Sequence, residues 1–217
     1  MPDCNQMTDS YVTVTCPSSA EITIQKSRFI GYASPCSDEA KALDFIRQIR
    51  EAHRTATHNC YAYVIGENCG IIRYSDDGEP GGTAGLPILN VIRSKNIVNC
   101  CVVVTRYFGG VLLGTGGLVR AYTQSCQAAL NEAGVSVMKM TTDAICTIPY
   151  PSWNRFRYAT EHMPVRIEQI EYGSSISFHL LYCSNDRDRV IPQLNEASDR
   201  KMEIISLSDA YMPWETE

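Results

Sequence analysis

The sequence predicts an α+β protein in two successive parts, residues 1–140 and 141–217, and three observations predict it. Short runs that alternate apolar and polar residues at strand period are interleaved with runs at helix period. Near residue 140 that pattern starts afresh. At 217 residues and 44% apolar content the chain has material for two cores.

After a tail to about residue 18, EITIQKSRFIGYAS alternates around Lys26 to Arg28 as a pair of strands or one bent strand. SDEAKALDFIRQIREAH changes period, with Ser37 as the expected N-cap and Ala42, Phe45, Ile46 and Ile49 on one helical face. HNCYAYVIG and IIRYS are strands joined by a turn at Glu67 to Gly70. AGLPILNVIRSK is a short helix that tolerates Pro87 in its first turn, where N–H groups lack helical partners. CCVVVTRYF is a buried central strand, and a helix follows from Leu118 to Ala133, ended by Gly134.

In the second part DAICTIPY is a strand and Ser152 caps the helix WNRFRYATEH. VRIEQIEYGSSISFHLLYC forms two strands around Gly173, RVIPQLNEAS is helical, and MEIISLSDAY is the last strand. The order is βαββαβ, the split-βαβ or ferredoxin-like order. Pro192 conflicts with the second helix unless that helix begins only near Arg189.

Composition narrows the function classes. The N-terminus has no cationic region followed by an apolar one, and nowhere do eighteen apolar residues run uninterrupted, so a soluble, cytoplasmic protein is expected. The ten cysteines sit in apolar runs, without CxxC pairs or zinc spacing, and read as buried thiols in a reducing compartment. Residues 1–140 hold 12 Lys+Arg and 12 Asp+Glu, whereas residues 141–217 hold 7 and 12, a net charge of −5. Phosphate contacts are therefore expected from the first part, if anywhere.

Two glycine-rich stretches carry the candidate chemistry. SDDGEPGGTAGLPIL places Gly82, Thr83 and Gly85 at one predicted helix start, and TRYFGGVLLGTGGLVRAY places Gly109, Gly110, Gly116 and Gly117 before another. Helix N-termini with glycines suit an anion, and Arg106 and Arg120 could add charge-assisted bonds. Neither stretch is a P-loop or a dinucleotide fingerprint. Asp76, Asp77 and Glu79 repel a phosphate unless a cation offsets them. They are open to two readings: Asp76 and Asp77 on Mg2+, or turn chemistry in which Asp binds backbone N–H groups and Arg106 or Arg120 pairs with another acid. His58 is a structural histidine or, given a carboxylate in reach, a general base. Tyr107 and Phe108 are core or rim residues, or platforms for bases.

KSRFIGYA, THNCYAYV, SDDGEPGGTAGLPIL and VVVTRYFGGVLLGTGGLVRAY together resemble the bacterial YigZ branch of the IMPACT family over about residues 20–135. Residues 142–212 look like the small ferredoxin-like domain that follows in that branch. The resemblance implies a ribosomal protein S5 domain 2-like fold for the first part, shared with domain IV of elongation factor G. For the second it implies a fold similar to that factor's last domain. The matching motif positions are Asp76, Asp77, Gly78, Glu79, Pro80, Gly82, Thr83, Gly85, Arg106, Tyr107, Gly109, Gly110, Gly114, Gly116, Gly117 and Arg120. Eukaryotic relatives regulate translation by binding an activator of a translation-inhibiting kinase. They do so partly through a preceding domain that this sequence does not contain, so that role is not carried over.

The expectation is a non-catalytic factor associated with translation, without a cofactor. It would bind ribosome, RNA or a translation protein through the glycine-rich, arginine-flanked surface, with neither membrane nor DNA as a partner. One alternative is a Mg-dependent enzyme acting on a phosphorylated small molecule or nucleotide. Another is a protein–protein adaptor that uses the acidic second part.

Overall fold

A computed structural model describes residues 10–214, which divide between Val137 and Met138 into two units with separate cores. The first unit runs β1 (Ser10–Val14), β2 (Ser18–Ile24), β3 (Ser27–Pro35), α1 (Glu39–Ala52), β4 (His58–Ile65), β5 (Ile71–Ser75), α2 (Gly85–Ser94), β6 (Cys100–Tyr107) and α3 (Gly114–Ala133). Strand β7 (Val135–Ile148) crosses the division. It is followed by α4 (Tyr150–Thr160), β8 (Val165–Tyr172), β9 (Ile176–Cys183), α5 (Arg187–Ala197) and β10 (Glu203–Trp214).

The first sheet has the order β2-β3-β6-β4-β5, with every neighbouring pair antiparallel. Its apolar central strand β6 is buried on both faces, as CCVVV requires. Cys100, Val102 and Val104 join the larger core under α2 and α3, while Cys101 and Val103 join the smaller one under α1. The Lys26 region is a true hairpin. Gln25 and Lys26 close it at φ 44° and 66°, the left-handed pair that matches strand twist in a two-residue turn.

Three first-unit expectations are corrected. Residues 1–9 of the expected tail lie outside the described residues, but Ser10–Val14 is a strand, because Val12, Thr13 and Val14 are β-branched and Val14 is buried in the main core. The α1 cap is Asp38, not Ser37: the Asp38 carboxylate accepts from the Lys41 N–H at 2.8 Å, and the Ser37 hydroxyl donates to Asp38. Helix α3 begins at Gly114 rather than Leu118. Glycine costs little in a first turn whose N–H groups have no helical partners, and Leu118 starts the buried stripe one turn later.

The second unit is βαββαβ with the strand order β10-β7-β9-β8. Its core gathers Trp153, Phe156 and Phe178 with aliphatic residues of β7, β9 and α5. Ser152 does not cap α4. The helix starts two residues earlier, at Tyr150, with Pro151 in the first turn where its missing N–H is harmless, and Ser152 is buried. Likewise α5 starts at Arg187, not near Arg189, so Pro192 sits inside it. Pro192 is exposed, so the carbonyl it strands can face water, while Val190 and Leu194 on the other side anchor the helix.

No cysteine among the described residues is in a disulfide, and most are buried. Burial pushes the Cys36 thiol up to about 11 and that of Cys146 up to about 12, and it raises Cys100 and Cys101 as well. At pH 8 a thiol-alkylating reagent is therefore expected to modify the exposed Cys16 and Cys69 rapidly and these four only on unfolding. Mass-spectrometric mapping of the modified peptides checks this.

Candidate functional site

Side-chain alternation along β6 places Arg106 on the same sheet face as Cys100, Val102 and Val104, toward α2 and α3. The register sets Phe29 of β3 directly across from it on one side and His58 of β4 on the other. Arg106 is 5% exposed, so its charge must be answered from within. Glu79 answers it: Arg106 Nη1 donates to Glu79 Oε1 at 2.7 Å. The Tyr122 hydroxyl of α3 donates to that oxygen at 2.7 Å. Burial pushes the Tyr122 hydroxyl far up, which keeps it a donor to the carboxylate. The guanidinium lies 5.4 Å from the Phe29 ring and 5.5 Å from that of Phe108. Arg106 Nη2 donates to Ser27 Oγ at 3.4 Å, while Nε is sealed off with no partner.

The acids of the first glycine stretch are consumed by the backbone around them. Asp76 Oδ1 accepts from the N–H groups of Ala84 and Gly85 at 3.0 and 2.8 Å, and Oδ2 from that of Gly82 at 2.9 Å. The positive end of α2 is thus filled by the chain's own carboxylate, and the anion expected there is Asp76 itself. Asp77 accepts from the Asn59 N–H and from Arg50. With these oxygens engaged, the donor set does not fit Mg2+, and the expectation of Asp76 and Asp77 as metal ligands is withdrawn. Thr83 turns inward, its hydroxyl donating to the Pro80 carbonyl at 2.7 Å. Gly85 is required by proximity, since a Cβ there would lie 2.7 Å from the Ser75 carbonyl oxygen.

The second stretch divides in the same way between packing and open surface. A Cβ on Gly109 would lie 2.0 Å from the Lys26 carbonyl, so this glycine is wedged against the β2–β3 turn. Cβ atoms on Gly110, Gly114 and Gly116 would meet open space. The N-cap of α3, Leu113, offers no side-chain bond, so the first-turn amides at Gly114 to Gly117 are free of any such cap. Arg120 is exposed and makes no hydrogen bond or ion pair with the described residues. Of the two arginines expected at a phosphate surface, only Arg120 is therefore at the surface; Arg106 is a buried structural cation.

A cavity of about 440 Å³ opens between these elements. Its polar lining includes Thr57, His58, Glu79, Arg106 and Thr115, and its apolar lining Pro80, Phe108, Leu112, Leu113 and Leu118. His58 Nδ1 is 2.7 Å from the Asp77 carbonyl oxygen, and its Nε2 lies 3.9 Å from Glu79 Oε2, beyond hydrogen-bond reach. Tyr107 is not part of this site. It points to the other sheet face, where its hydroxyl meets His53 Nδ1 at 2.9 Å and Arg28 covers its ring.

Sequence reasoning missed Tyr122 and Leu112. Tyr122 had a readable signal: a hydroxyl on the buried face of a helix, between Leu118 and Cys126, needs a polar partner. Leu112, 86% exposed, had none, because nothing local shows that a leucine in a glycine-rich loop stays outside.

Replacing Arg106 by Met is expected to cost about 3–5 kcal/mol in urea unfolding, because it leaves a buried carboxylate unpaired. The double variant Glu79→Leu, Arg106→Met is expected to be no less stable than Arg106→Met alone. Single effects that simply added would show that the two charges are not coupled.

Comparison with known proteins accords with this architecture. A family model described as the Impact N-terminal domain matches residues 25–130, which span the sheet from β3 onward, the cavity and both glycine stretches. IMPACT family member YvyE of Bacillus subtilis is 38% identical over 91% of this chain and 91% of its own length. IMPACT family member YigZ of Escherichia coli is 38% identical over 57% of this chain and 62% of its own. A crystal structure of a hypothetical protein superposes with a TM-score of 0.60 at 26% identity, covering 93% of this chain and 99% of that one. At this identity over nearly the full length of both sequences, the chain belongs to the IMPACT family.

Proposed function

We propose that this protein is a non-catalytic, translation-associated binding factor whose contact surface is the start of α3 and the loop before it. The observation that carries the reading is an exposed apolar rim. Phe108, Val111 and Leu112 are 45%, 39% and 86% exposed, next to the uncapped first turn of α3 and the exposed Arg120, which has no partner among the described residues. An apolar rim with one cation suits a protein surface better than a bare phosphate backbone, which rewards many cations. Within translation, the reading therefore favours a ribosomal or translation protein over naked RNA as the partner. Family membership supports the link to translation. No helix among the described residues is long and apolar enough to cross a membrane.

An enzymatic reading has one observation in its favour, the neighbouring His58 and Glu79 side chains that line the cavity. Thermal shift with a nucleotide panel, with and without Mg2+, tests it; stabilisation by several degrees at saturating ligand would favour it over the binding-factor reading.

Co-sedimentation with ribosomes across a salt series tests the main proposal. Wild type is expected to bind with a shallow salt dependence. Leu112→Asp is expected to bind at least about tenfold more weakly, with unchanged unfolding, as a central apolar anchor would. Binding that falls steeply with salt and vanishes in Arg120→Ala would place RNA phosphates on the surface instead, and absence of binding at every salt would end the proposal.

A further inference from the structure

The His58 and Glu79 pair presents two hydrogen-bond acceptors to the cavity and no donor between them. A backbone carbonyl can only accept, so the contact of His58 Nδ1 with the Asp77 oxygen at 2.7 Å puts a hydrogen on Nδ1, and in that tautomer the ring's acceptor is Nε2. Glu79 Oε1 accepts from Arg106 and Tyr122, and Oε2 accepts no hydrogen bond from the described residues. These two remaining acceptors are 3.9 Å apart. A group that takes the place of water between them must bring the hydrogens.

The spacing indicates what kind of donor. One atom at about 2.8 Å from both acceptors would see them at an angle of about 90°. That is nearer the tetrahedral spread of an ammonium's hydrogens than the roughly 120° of a planar amide or a nucleobase amine. Beside Thr57, Thr115 and the Glu79-paired Arg106, the lining offers an apolar wall of Pro80, Phe108, Leu112, Leu113 and Leu118. A primary ammonium on a methylene stem matches both features, its head on the acceptors and its stem along the leucines.

We propose that this cavity is the receptor for a lysine side chain of the partner protein. The inference rests on the binding-face reading and deepens it, since Phe108 and Leu112 belong both to the exposed rim and to the cavity wall. Arg106 already balances the Glu79 charge, so recognition comes from filling both acceptors and burying the stem rather than from net attraction.

The test is an NMR titration of the full-length, 15N-labelled protein with the peptide Ac-Gly-Lys-Gly-NH2. Parallel arms use the same peptide with lysine Nζ-acetylated or replaced by norleucine, and AMP and CMP. Saturable shifts at His58, Glu79 and Gly114 to Gly117 are expected with the lysine peptide. Binding of the acetylated and norleucine peptides is expected to be at least tenfold weaker. His58→Phe removes one acceptor without touching the buried pair and is expected to weaken lysine binding at least tenfold. If that variant does not fold, the acetylated arm on wild type decides alone. Equal binding of the acetylated peptide, no saturable shift, or preferential saturation by AMP or CMP overturns the inference. Ribosome co-sedimentation that survives such a result leaves the binding-factor reading standing, and lysine binding without co-sedimentation removes the translation partner but not the receptor.

Discussion

A guanidinium and a carboxylate under one sheet must answer each other, and in this protein that requirement ties four elements together. Arg106 comes from β6, Glu79 from the loop before α2, Tyr122 from α3, and the Phe29 ring that Arg106 faces from β3. Neither Arg106 nor Glu79 is stable in its place alone, because an unpaired charge at such depth costs far more than most contacts return. The pair therefore acts as a register device. It holds the second glycine stretch and the acidic loop at a set distance, and the cavity is the space left between them.

Seen from that pair, the glycines divide by task. Gly85 and Gly109 let backbone pass backbone, while Gly114 and Gly116 leave open space at the start of α3. Asp76 supplies α2 with the negative charge its N-terminus attracts, so the two helix starts, similar in sequence, differ in consequence: one is satisfied from within and the other faces out. Likeness in glycine content did not mean likeness in ligand.

This division marks how much was legible from the residues alone. The α+β class and the order of elements follow from periodicity, and CCVVVTRYF was readable as the central strand because β-branched runs have few other homes. Caps and helix starts were less legible: Asp38 rather than Ser37, and Gly114 rather than Leu118, depend on a one-residue or one-turn choice that neighbouring packing makes. Arg106 was open to two readings, and the structure has the one in which an arginine pairs with an acid of the first glycine stretch, here Glu79. Alternation from Cys100 puts Arg106 on the core face, so its burial was foreseeable, and a phosphate contact was the reading that ignored it. His58 could be placed on a strand but not near Glu79, since a loop twenty residues away brings the carboxylate.

The wedge of Gly109 against the β2–β3 turn also bears on how the molecule can be handled. Hairpin tips are the usual places to attach a fluorophore, an affinity tag or a new terminus, because little packs on them. Gln25 and Lys26 look suitable from their exposure alone, yet the turn is braced from beneath by the loop that carries the exposed rim. A probe inserted there would lever that loop and disturb the surface it was meant to report on. The turn at Gly66 to Gly70, whose residues Asn68 to Gly70 are exposed, is the better attachment point for such a probe.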